Sequence, residues 1–239
     1  MAEFFTLAQI RTKLQRDLDL EQEQFVTADE LTGYVNEAID DAEAIIHGLY
    51  ADYFLTKDTL NIVSGTSSYA LPSNIYANKI RRILYNDGAN RYRITRIKDF
   101  DIIPFLEDNA SSTDRLRYVL ENNFAGAAGI VTQFYPTPLV TGGYITRWYI
   151  RNANRLSAET DICDIPEFVN YVFAHVKRSV ARKEKLGQDI QLAEAQVASE
   201  HQLMEDTLYA LMPDEDNQVR KDMSYYSDFY LDDENFSTY

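Results

Sequence analysis

The side chains here with the widest chemical repertoire are three histidines, one cysteine and several runs of carboxylates. A structural or catalytic zinc site needs imidazoles about one helical turn apart, or a His-Glu-x-x-His stretch. His47, His175 and His201 each stand alone on a stretch patterned as helix, so they read as surface or core-edge residues. Cys163 has no second cysteine to pair with, which excludes an intrachain disulfide or a multi-cysteine metal site; it reads as a small buried apolar residue. Asp40-Asp41, Asp214-Glu215-Asp216 and Asp232-Asp233-Glu234 lack the spaced oxygens and sharp glycine turn of a calcium loop, and read as solvated. Ala125-Gly126-Ala127-Ala128-Gly129 has no following lysine to cradle a phosphate. No metal or cofactor is therefore expected. A peptidoglycan or glycan hydrolase using paired carboxylates stays open as the alternative, because the geometry of such a pair is set by the fold.

Binding chemistry is better represented. The last stretch, Pro213 to Tyr239, sets Tyr225, Tyr226, Phe229, Tyr230, Phe236 and Tyr239 among eight carboxylates. It is too acidic to fold alone, and its rigid rings suit anchors in a partner's surface, which predicts an extended docking arm. The competing reading is a solvated acidic terminus. In the middle of the chain Arg81, Arg82, Arg91, Arg93, Arg96, Arg115, Arg117, Arg147 and Arg151 alternate with Tyr85, Tyr92, Tyr118 and Tyr149. That composition resembles a nucleic-acid surface, but a net charge of -15 opposes general affinity for phosphates. Arginines between subunits fit better, with Arg81, Arg82, Arg93, Arg147 and Arg151 as the candidates. Charge is unevenly placed: -9 up to Asn78, +5 from Lys79 to Arg155, -5 from Leu156 to Met212 and -6 in the arm. A basic middle between acidic ends favours self-assembly or docking by charge complementarity.

The elements that must position these groups follow from periodicity. Phe4, Leu7, Ile10, Leu14 and Leu18 recur at three and four and predict one amphipathic helix. Thr27 and Glu30 have capping-box spacing at the head of a longer stripe from Leu31 to Tyr53. After Lys57 the period becomes two. Leu60 to Val63 and Ser68 to Leu71 read as strand, turn, strand; Ile80 to Tyr85 and Tyr92 to Ile97 repeat the plan around Asn86-Asp87-Gly88. A short helix is predicted within Asp99 to Glu107, then strands over Arg115 to Leu120, Ile130 to Tyr135 and Tyr144 to Ile150. Asp164 is placed as the N-cap of a further helix carrying Phe168 to Val180, Gly187 as its stop, and Gln188 to Met212 as the last helix before Pro213. The expected fold is α+β: an α-helical bundle of long N- and C-terminal helices with an inserted small antiparallel β domain and an extended C-terminal arm. Its divisions are 1–57, 58–155, 156–212 and 213–239. Hydrophobic content of 45% suffices for a real core, and neither a spanning apolar run nor a secretory leader is visible. The expectation is a soluble chain that stays in the cytoplasm in which it is made, with no membrane partner.

Several signatures then occur in order: Tyr34-Val35-Asn36-Glu37-Ala38-Ile39, Gly65 with Ser68-Tyr69-Ala70-Leu71-Pro72, Phe134-Tyr135-Pro136-Thr137-Pro138, Arg147-Trp148-Tyr149-Ile150, and Asp161 to Phe168 leading into a helix. Together they resemble the head-to-tail adaptor family of tailed bacteriophages, of the short-tailed, tail accessory factor type, over roughly Thr27 to Gly187. The resemblance implies a non-enzymatic structural virion protein at the head-tail junction. It implies a homo-oligomeric ring, of twelve copies, under the portal protein, extending the DNA ejection channel with only transient contact to the translocating duplex. It also implies a surface for the next tail component, a nozzle, hub, fibre or spike protein, and a C-terminal extension that reaches the portal. The arm of this chain matches that extension in position, but its acidic, aromatic composition departs from the family.

Overall fold

Two capping boxes set the start of the helical layer. In this computed structural model, which describes residues 4–19, 25–88, 90–108, 116–123, 129–139, 142–184 and 187–212, the Thr6 and Thr27 hydroxyls accept from Gln9 and Glu30 backbone N–H groups, and both reciprocal bonds form. Helix α1 (Leu7–Asp17) buries Leu7, Ile10 and Leu14, and α2 (Ala28–Leu49) buries the stripe from Leu31 to Ile46. Helix α4 (Val169–Glu184) is the central one, with nine buried residues from Val169 to Ala181, and packs against α1, α2 and α5 (Gly187–Leu211). Helix α5 buries only the narrow stripe Ala193, Val197, Met204 and Leu208.

The strands are β1 (Leu55–Asn61), β2 (Ser68–Ala70), β3 (Ile75–Asn86), β4 (Arg91–Arg96), β5 (Arg117–Asn123), β6 (Gly129–Tyr135) and β7 (Tyr144–Arg151), with the short helix α3 (Ile103–Asp108) between β4 and β5. They form one sheet in the order β1-β7-β3-β4-β5-β6-β2, antiparallel except for the parallel pair β4 and β5. This order demands curvature. Laid flat at about 4.8 Å per gap, seven strands would hold β1 and β2 about 29 Å apart. The link from Asn61 to Ser68 reaches about 25 Å at full stretch. The sheet therefore curls into a half-barrel, and the link crosses its mouth: Ile62 N–H donates to Gly143 O on one side, while Gly65 N–H donates to Pro138 O on the other. Ile62, Ile83, Tyr85, Ile94, Leu116, Tyr118, Phe134 and Ile145 fill the interior.

This sheet overturns the expected helical bundle with a small antiparallel insert. It is mixed and has seven strands among the described residues, so the β region is a principal body of the fold. Nor is it a separate insert, because Ile150 of β7 and Phe54, just before β1, are buried in the same apolar cluster as α2 and α4. The expected first hairpin also fails: β1 and β2 lie at opposite edges, β1 on β7 and β2 on β6. A short polar link looks the same in sequence whether it turns a hairpin or bridges a curled sheet. The Asn86-Asp87-Gly88 hairpin does form, between β3 and β4.

Register corrects two finer points. Between Ile80 opposite Tyr149 and Arg82 opposite Trp148, Arg81 is an extra residue on β3. This bulge lets Ile80 and Ile83 both point inward and sends Arg81 out to Asp52, at 2.7 Å. Asp164 caps no helix: a 3-10 turn at Pro166–Phe168 precedes α4 with Ile165 as its cap, and Gly187 opens α5.

Candidate interaction surfaces

Backbone alternation decides where the arginines go. On β7 the side chains of Ile145, Arg147 and Tyr149 are buried and those of Tyr144, Thr146 and Trp148 face outward. Arg147 therefore enters the half-barrel. Its Nε and Nη2 donate to the Asp58 carboxylate at 3.1 and 2.5 Å, and its Nη1 donates to Ala70 O at 2.8 Å. One guanidinium thus ties β7 to both β1 and β2, the two edges of the sheet. Arg151 is spent within the chain as well, on Asp164, on Asn152 O and over the Phe54 ring. Arg81 holds Asp52. Arg82 and Arg93 are exposed, and a cleft of about 500 Å³ beside them is also lined by Arg81, Arg96, Lys98 and Tyr118.

The outer face of β1, β7, β3 and β4 is ordered by register into three rows. Lys57, Trp148 and Arg82 form the first; Thr59, Thr146, Leu84 and Arg93 the second; Asn61, Tyr144, Asn86 and Arg91 the third. Four cations stand on this face and no carboxylate is among its twelve strand positions up to Thr95. A shallow cleft of about 260 Å³ runs across the rows between Lys57, Leu84, Arg91 and Trp148. Outside β5 the sheet is covered instead, since Leu106 of α3 packs on Ile97 and Val119.

Helix α5 offers the opposite character. It has no lysine or arginine and carries Asp189, Glu194, Glu200, Glu205 and Asp206. Its buried stripe faces α4, leaving Leu192 at 70%, Leu203 at 55% and Tyr209 at 59% exposed.

The sequence motifs between sheet and helices serve as structural ties. The Asn36 side chain makes two bonds to the Leu156 backbone, at 2.8 and 2.9 Å. The Asp161 carboxylate accepts from the N–H groups of Ser157 and Ala158, which hold it below the usual carboxylate range, and Asp164 accepts from Asn154 N–H. These bonds fix the route from β7 back under α2. The phenols of Tyr53 and Tyr171, raised well above their ordinary pKa by burial, donate to Glu167 and Asp41.

The chemically versatile residues are likewise absorbed by packing. His47 is buried, stacked on Tyr76 at 3.5 Å between centroids, with Nε2 at 3.1 Å from Glu43. Burial, with the Lys79 ammonium adding to it, pulls its pKa down to about 4, so it is neutral at pH 7; burial raises Glu43. The i,i+4 spacing of Glu43 and His47 was a readable signal for this contact. His175 is buried beside Tyr171 and its pKa is lowered by the same cause; His201 lies 3.8 Å from Glu205. Burial pushes the Cys163 thiol up to about 11. Asp40 pairs with Arg155. Among the described residues no three His, Cys, Asp or Glu side chains converge as a metal site would require, and no helix is long and apolar enough to cross a membrane. Tyr225, Tyr226, Phe229, Tyr230, Phe236 and Tyr239 lie outside the described residues, as do Asp214 to Asp216, Asp232 to Glu234 and most of the Ala125 to Gly129 loop.

No curated protein matches this chain. A family model described as SU10 adaptor protein matches residues 5–227, which takes in all of the helices and strands and runs into the acidic segment after Met212. By that match over nearly its whole length, the chain belongs to the SU10 adaptor protein family of phage head-to-tail adaptors, which are structural proteins.

Proposed function

We propose that this adaptor assembles as a homo-oligomeric ring beneath the portal, extends the channel through which DNA leaves the capsid, and presents its far side to the next tail component. The observation that carries this reading is the extent of the family match, which spans the helical layer, the sheet and the start of the arm as one unit. The closed ring of twelve and the site at the virion head-tail junction rest on the resemblance drawn from the sequence. Charge is consistent with it. A chain of net charge -15, with -9 of it before Asn78, makes a channel wall that repels phosphates and lets a duplex slide.

Pro213 to Tyr239 is the portal-docking arm in this reading, with Tyr225, Tyr226, Phe229 and Tyr230 as the main anchors and Phe236 and Tyr239 beyond them. The family match reaches 227 and so takes in Tyr225 and Tyr226 but not the later rings. Deleting Asp214 to Tyr239 is expected to leave circular dichroism and thermal unfolding unchanged and to abolish capture by immobilised portal. Capture at the wild-type level would refute the arm's role.

A further inference from the structure

We infer that the acidic outer face of α5 in one copy docks on the basic outer sheet face of the next copy. The inference rests on the ring reading and supplies its contact. The two surfaces differ in a way that makes them fit each other and not themselves. One presents Lys57, Arg82 and Arg91 on strand positions that hold no carboxylate; the other, on a helix with no lysine or arginine, presents Asp189 and Asp206, while Glu194 is spent on Arg182, Glu200 lies against α4 and Glu205 beside His201. Like faces repel and unlike faces attract, so the contact runs head to tail. A contact between two different patches, repeated by a rotation that divides a full turn, closes into a ring.

Apolar groups match as well. Leu192 and Leu203 are eleven residues apart, about three helical turns, and so share one face, with Asp206 one turn further on. On the sheet, Leu84 and Trp148 line the cleft between the cations. Within its own chain α5 is held on α4 by Ala193, Val197, Met204 and Leu208, which turns this face away toward another molecule. A helix of that length presents about 37 Å of surface. A duplex is the weaker occupant for the same sheet face, because the net charge of -15 opposes its approach.

The test uses two charge-reversed full-length proteins. One carries Lys57→Glu and Arg82→Glu; the other carries Asp189→Lys and Asp206→Lys, the two exposed carboxylates one turn from Leu192 and Leu203. Assembly is read by native mass spectrometry, on the protein alone and on purified portal, with circular dichroism to confirm folding. Each variant alone should need about 100-fold more protein to assemble than the wild type. An equal mixture should recover wild-type assembly, since in an alternating ring every contact again pairs opposite charges. Wild-type assembly with undiminished assembly of both variants would overturn this contact and leave the ring reading standing. Wild-type protein that associates under neither condition would overturn both. Low-salt DNA retention lost in the Lys57 and Arg82 variant, with assembly unchanged, would assign the sheet face to nucleic acid and overturn the inference.

Discussion

Replacing Arg147 by methionine should open the mouth of the half-barrel. The guanidinium is 5% exposed in its side chain and makes three bonds, two to Asp58 and one to Ala70 O. Methionine keeps much of the stem volume and removes all three. Removing one partner of a buried ion pair costs about 3–5 kcal/mol, most of it from the charge left behind. Asp58 is 28% exposed, so water rescues part of its carboxylate and the cost falls to the low end, about 3 kcal/mol. Pairing the change with Asp58→Leu removes the stranded charge and should return about 2 kcal/mol of that loss. The assay is urea unfolding followed by the fluorescence of Trp148, the single tryptophan, which sits beside Arg147 on β7. A single variant that loses less than about 1 kcal/mol, or a double variant no more stable than the single one, would refute the view that Arg147 holds the two sheet edges together.

Two further outcomes follow from buried groups. The His47 pKa of about 4 lies below its ordinary 6.5, so the unfolded chain takes up the proton first and stability is lost as pH falls from about 6.5 to 4. The gap corresponds to about 3 kcal/mol; His175 adds in the same direction and Glu43, raised by burial, works against it. His47→Gln should flatten the fall in urea midpoint between pH 7 and 4.5, and an unchanged slope would exclude His47 as its source. At Gly143 an added Cβ would lie 2.4 Å from Tyr85 Cε2 and 2.8 Å from Asn86 O. Gly143→Ala is expected to cost about 1–3 kcal/mol in the same urea titration, by crowding a buried ring.

What could be read from the sequence was local. The Thr27 and Glu30 box and the stripe behind it mark α2 because both signals lie within a few turns of one helix. Asn86-Asp87-Gly88 marks a hairpin because its turn chemistry fixes the pairing of the strands on either side. The sheet order was not legible. Whether Ser64-Gly65-Thr66-Ser67 turns a hairpin or bridges two distant edges depends on curvature built by five other strands. For the same reason Arg147 and Arg82 look alike in sequence. Register alone sends the first inward to Asp58 and leaves the second on the wet face. Residue type registered the contrast between a basic middle and an acidic last helix, but not which strand faces carry the cations. The bulge at Arg81 was invisible too, since an extra residue changes side-chain parity without leaving a compositional mark.

The link between β1 and β2 also bears on how one copy avoids sticking to another. Exposed strand edges recruit one another, in pairs or in fibres. Here the free edges belong to β1, which carries Lys57, and to β2, only three residues long. The crossing link and the Arg147 guanidinium draw both toward a common mouth. Neither edge is a long flat template for a stray strand. The curl that shapes the sheet thus also guards a single copy against fibrous association through its strand edges.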